Sequence, residues 1–143
     1  MKATQISIFL ENKKGRLASA TDAITKMGAN LRALNIADTS DFGILRIIVD
    51  NPEAVCARLK EEGFMAKLTD VLAVNIDDKV GALNQILQIM DKNSINLEYL
   101  YVFLGKDDTK AILIVRTKTT DEAAKILAAE GITLLSHKEV IAI

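Results

Sequence analysis

The chain opens on a short apolar run, Gln5 to Leu10, followed by a polar stretch from Glu11 to Lys14. From Gly15 onward, Leu17, Ala20, Ile24 and Met27 recur at the spacing of one helix face, so the pattern predicts strand, loop, helix. Gly28 stops that helix and Asn30 to Ala37 reads as a second strand. Asp38-Thr39-Ser40-Asp41 supplies turn chemistry before the apolar run Ile44 to Val49, which predicts a hairpin. Asn51-Pro52-Glu53 then combines a cap residue, a proline at the first helical position and an early acid. Gly63 stands where a helix C-terminal cap belongs, and a second helix is expected between them.

The second half repeats this series. Leu83, Ile86, Leu87 and Met90 mark its first helix, Gly105 to Asp108 its hairpin turn, and Thr120 to Glu130 its second helix, closed by Gly131. Lys13 to Leu17 falls on Lys79 to Leu83, and Asn30 to Leu34 falls on Asn96 to Leu100. Lys13, Gly15, Leu17, Lys26, Asn30, Leu31 and Leu34 are identical to their counterparts. With small slips Leu59 to Gly63 falls on Leu127 to Gly131, and Val71 to Val74 on Val140 to Ile143, which predicts a closing strand at the C-terminus. Leu72-Ala73-Val74 also matches the opening strand at Ile6-Ser7-Ile8. Two repeats are therefore expected, residues 1–70 and 71–143, with the strand near 70–76 shared or running directly from one to the other.

Strand, helix, hairpin, helix, strand is the ferredoxin-like βαββαβ plan, here twice: an α+β fold of antiparallel sheets with helices on one face. Such a sheet has one face bare, and its strands should alternate. Ile44 to Val49 and Ala111 to Val115 are instead apolar at almost every position. Either the other repeat or a second chain must cover them, so sheet-to-sheet contact or a homodimer is expected. Tyr99, Tyr101 and Phe103 form an aromatic stripe on one side of their strand, read as core or interface packing rather than a base-stacking platform.

Half of the residues are apolar and 26% are charged, the balance of a globular protein with a sizeable core. The net charge of −1 comes from interspersed acids and bases, so no basic stripe exists and nucleic acid is not expected as a partner. No apolar run reaches the length of a membrane span, and the first residues lead into a strand rather than a secretory leader. With the single cysteine Cys56, which reads as a core residue, this places the expected location in the cytoplasm. His137 is the one histidine and falls in the expected last strand region. Ligand-pair and nucleophile motifs are missing, so neither a metal, a cofactor nor a catalytic residue is predicted.

The chemistry concentrates in the first loop. Asn12-Lys13-Lys14-Gly15-Arg16-Leu17 puts a side-chain amide three residues before a glycine at a helix N-terminus, where unpaired N–H groups and the helix dipole attract a carboxylate. Asn30, at the entry to the second strand, offers another amide, and two amides with a helix terminus suit a zwitterion. The same residues also read as a tight turn and a strand opening. The pattern N-x-x-G-x-L followed by N-[IL], recurring in register in both halves, resembles the ACT domain family of small ligand-binding regulatory modules. That resemblance implies a tandem ACT protein without an attached enzyme, binding a free amino acid at a domain or subunit interface and controlling amino-acid metabolism. It carries the ligand-binding role to Asn12, Gly15 and Asn30, and in the second repeat to Asp78, Gly81 and Asn96. Lys14 and Val80 depart from the family's frequent proline, and Asp78 replaces the amide with a carboxylate that repels a ligand carboxylate. Two other readings stand beside it: an enzyme on a ferredoxin-like scaffold using His137 or the acidic loops, and a subunit whose sheets only oligomerise.

Overall fold

The computed structural model describes residues 1–38 and 41–143, so the turn expected at Thr39-Ser40 lies outside the described residues. Thr4–Thr69 form one compact unit, and Asp70–Ile143 together with Met1–Ala3 form another.

The first unit runs β1 (Ala3–Glu11), α1 (Arg16–Lys26), β2 (Leu31–Asp38), β3 (Phe42–Val49), α2 (Pro52–Glu61) and the start of β4 (Met65–Asp77). Its strand order is β2-β3-β1-β4, with β3 antiparallel to both β1 and β2, so β2 is an edge. Alternation in β1 sends Ile6, Ile8 and Leu10 to the helix side, where they join Leu45, Ile47 and Val49 of β3. Ala20, Ala23 and Ile24 of α1 and Val55, Cys56 and Leu59 of α2 close over them. Each fully buried Ile or Leu there contributes about 1.5–3 kcal/mol. The opposite side of β1 carries Gln5 and Ser7, both buried: the Gln5 amide donates to Ser7 Oγ at 2.9 Å, and Ser7 Oγ lies 3.0 Å from Thr69 Oγ1.

The second unit continues β4 into α3 (Ala82–Lys92), β5 (Leu97–Leu104), β6 (Lys110–Thr117), α4 (Thr120–Ala129), β7 (Thr133–Leu135) and α5 (His137–Ile141). Its order is β5-β6-β4-β7, all neighbours antiparallel, and β5 is an edge. Leu72, Val74, Leu113 and Val115 pack with Ile86 and Met90 of α3 and with Ala123, Ala124 and Leu127 of α4. Each unit thus has the ferredoxin-like plan. β4 is one unbroken strand of 13 residues in which both Thr69 and Asp70 lie.

Two expectations are corrected. The closing strand is not Val140 to Ile143 but the three residues Thr133–Leu135, paired to Ala73–Asn75 of β4. The apolar residues beyond it form α5, because Ser136 and Glu139 make a reciprocal capping box: the Glu139 N–H donates to Ser136 Oγ, and the Ser136 N–H donates to Glu139 Oε2. His137 therefore begins a helix and lies in no strand. Of the doubly apolar strands, Ile48, Ile112 and Ile114 are buried within the single chain, so these positions do not need a second copy to cover them. Tyr101 is buried across from Ile114 on the sheet face opposite Leu113 and Val115, with Tyr99 and Phe103 half-buried beside it, so the aromatic stripe packs.

Candidate functional site

The loop between β1 and α1 is held by its own backbone. The Asn12 N–H donates to the Asp41 carbonyl at 3.0 Å, the Lys13 N–H to the Glu11 carbonyl at 2.7 Å, and the Arg16 N–H to the Lys13 carbonyl at 3.2 Å. Gly15 caps α1 in the left-handed region at φ +85°, and α1 begins at the next residue with its first-turn N–H groups lacking helical acceptors. A cavity of about 190 Å³ opens at this point. Leu10, Leu17 and Ile36 give it apolar lining, and Glu11, Asn12, Lys13 and Arg16 give it polar lining. Leu17 and Ile36, both apolar positions of regular elements, are 40% and 43% exposed here.

Charge in the loop is uneven. Lys13 pairs with Glu11 at 2.7 Å, which holds the Glu11 carboxyl below its ordinary range, with the Arg16 charge adding to the effect. Among the described residues, no carboxylate forms a salt bridge with Arg16. Its guanidinium carbon lies 4.6 Å from the centroid of the Phe64 ring, a cation–π contact, and its Nε is buried and donates to no acceptor among the described residues.

The loop between β4 and α3 copies this backbone bond for bond. The Asp78 N–H donates to the Thr109 carbonyl at 2.9 Å, the Lys79 N–H to the Asp77 carbonyl at 3.0 Å, and the Ala82 N–H to the Lys79 carbonyl at 3.3 Å. Gly81 caps α3 at φ +87°. The side chains differ: Asp78 stands for Asn12, Val80 for Lys14 and Ala82 for Arg16. Asp77 bonds Lys110 and pairs with Lys79 at 3.0 Å, and Lys110 first, then Lys79, pulls its carboxyl down to about 2.

The residues singled out from the sequence are only partly brought together. Asn12 and Gly15 share the first loop, whereas Asn30 is exposed at the far end of α1 and lines a separate cavity with Ile24, Gly28 and Leu31. Eleven helical residues at 1.5 Å each put about 16 Å between the two ends. Asp78 and Gly81 likewise share the second loop, and Asn96 lies past the far end of α3, exposed just before β5. Arg16, Leu17 and Ile36 join the first-loop cavity without having been singled out as ligand residues. Comparing the repeats offers the one signal for Arg16, because the aligned residue is alanine.

Elsewhere, Cys56 is buried in the helix-side core, and among the described residues no group of three or more His, Cys, Asp or Glu side chains is placed to hold a metal ion. No helix among them is long and apolar enough to cross a membrane.

The family model of the ACT domain pair matches residues 1–143. A crystallised protein of Bacteroides thetaiotaomicron is 35% identical, with 100% of this chain and 98% of that chain covered and a TM-score of 0.93. The regulatory subunit of aspartate kinase from Thermus thermophilus, in its ligand-free form, is 16% identical over 88% of this chain and 91% of its own, with a TM-score of 0.62. The corresponding subunit from Thermus flavus is 16% identical over 90% and 92%, again at 0.62. At that identity these two share the fold. No curated protein matches the sequence.

Proposed function

The chain belongs to the ACT domain pair family, and from that premise we propose that it is a regulatory module that binds a free amino acid at the loop between β1 and α1 rather than catalysing a reaction. The observation that carries this reading is the composition of the first-loop cavity. A helix N-terminus and the cations Lys13 and Arg16 suit a carboxylate, the Asn12 amide and Glu11 suit an ammonium, and Leu17 and Ile36 offer an apolar wall to a side chain. The regulatory aspartate kinase subunits have the same fold. The ligand then acts by favouring one association or packing state over another, to the extent of its differential affinity for the two.

The placement of Asn30 fits a site completed by a second copy. β2 is an unpaired edge on which Leu34 and Ile36 are 46% and 43% exposed. Two copies pairing antiparallel through β2 would bring the Asn30 end of one strand to the Asp38 end of the other, beside the partner's first loop. A homodimer of this kind unites Asn12 and Asn30 in one site although a single repeat keeps them apart.

The test is a thermal-shift and calorimetric screen of the twenty common amino acids against the full chain. One or a few should raise the melting temperature and release or absorb heat saturably. If none of them does either, the chain is not an amino-acid sensor.

A further inference from the structure

We propose that Arg16 is the residue that recognises the ligand's carboxylate, and that the chain consequently holds one such ligand, at its first loop only. This rests on the amino-acid-binding reading above and adds to it a specificity-determining side chain and a stoichiometry.

Four observations lead to Arg16. It lines the first-loop cavity beside apolar Leu17 and Ile36, so an anion meeting it there is partly removed from water and interacts more strongly than at an open surface. Its carboxylate neighbour is already taken: Glu11 is engaged by Lys13 at 2.7 Å and feels Arg16 only at longer range, and no salt bridge joins Arg16 to any described carboxylate within 4.0 Å. Its Nε is buried with no acceptor among the described residues, a costly state that leaves the guanidinium uncommitted to the chain. The Phe64 ring under the guanidinium restricts its orientation, so less freedom is lost when the planar fork meets a planar carboxylate.

The second loop is an internal control. Its backbone bonds and the φ of its capping glycine repeat those of the first loop, so helix-terminus geometry is common to both. What differs is charge. The first loop, from 11 to 16, sets Lys13, Lys14 and Arg16 against Glu11, whereas the second, from 77 to 82, sets Asp77 and Asp78 against Lys79 and has Ala82 at the place of Arg16. Lys110 and Lys79 both hold Asp77, so side chains attract a carboxylate to the first loop and give it no net attraction at the second.

Calorimetry on the full chain tests this, using as probes each amino acid that binds the parent and the matching amine that lacks its carboxylate. The expected results are one ligand per chain, no binding of the amine, and a loss of about 10- to 100-fold in affinity for Arg16→Met. That variant retains an apolar stem over Phe64, and its melting temperature without ligand should stay near the parent's. Arg16→Lys should fall between the two, because it keeps the charge but loses the fork. Unchanged affinity in both variants, equal binding of the amine, or two ligands per chain would overturn the proposal while leaving amino-acid binding intact. Failure of every amino acid to bind the parent would instead remove the reading beneath it.

Discussion

Gly15 and Gly81 hold the same left-handed conformation, φ +85° and +87°, at the N-terminal caps of α1 and α3. A Cβ built on either glycine meets nothing within 4 Å. Backbone conformation alone therefore requires these glycines, whatever approaches them. Gly15→Ala and Gly81→Ala should each cost about 1–2 kcal/mol of stability, and Gly15→Asn less, because asparagine tolerates this region better. Urea denaturation checks this. Equal stability of parent and Gly15→Ala would mean that the loop adopts another conformation in solution. A bulky residue at Gly15 is accordingly a poor probe of ligand binding, since it strains the fold first.

Acid should weaken the second unit through Asp77. Its carboxyl is held at about 2 by Lys110 and Lys79, against an ordinary 3.8 in the unfolded chain. A depressed carboxyl contributes stability that is complete above the unfolded value and is lost as pH falls from 3.8 toward 2. Asp77→Asn should remove this part of the decline. Urea midpoints measured from pH 5 to pH 2 should converge for parent and variant at the acid end. Because the group is solvent-exposed, 1 M salt should shrink the difference, and a gap that survives both acid and salt would assign the effect to something other than these ion pairs.

Periodicity made most of this fold legible, because alternation in β1 and the spacing of Ala20 and Ile24 report burial directly. It failed where burial and shape part company. Val140 is buried, so the C-terminal residues look like a strand from composition, but the Ser136–Glu139 box makes them helical. Leu17 and Ile36 carry the apolar signal of core residues and yet remain over a third exposed at the cavity. Arg16 has no periodic signal at all. The role proposed for it depends on the position of Phe64, which is distant in sequence, and on a neighbouring acid being already paired.

The capping box gives a local test of that misread segment. Ser136→Ala removes the acceptor of the Glu139 N–H and should cost about 0.5–2 kcal/mol. Fraying of α5 would loosen Val140, so amide exchange should accelerate from 137 to 141 and stay slow in β6. Unchanged exchange would show that packing of Val140, rather than the cap, sets the structure of α5.

The two-copy site makes its own demand on Asn12 and Asn30. Each change, Asn12→Ala or Asn30→Ala, should weaken amino-acid binding by about 1.5–3 kcal/mol if the amide meets a charged ligand group. Sedimentation of Leu34→Glu should show dissociation, since the charge is placed on the exposed apolar edge of β2. The decisive experiment mixes the two asparagine variants. If a site takes Asn12 from one chain and Asn30 from its partner, a mixed dimer has one site with both asparagines and one with neither. Random exchange of equal amounts should then restore parental affinity at roughly one site in four. A site built within one chain would show no such recovery, because every chain in the mixture lacks one of the two. Recovery that disappears when Leu34→Glu, which lies on the same edge but outside the cavity, is added to both variants would tie the shared site to the β2 edge. Recovery that persists would place the contact between copies elsewhere.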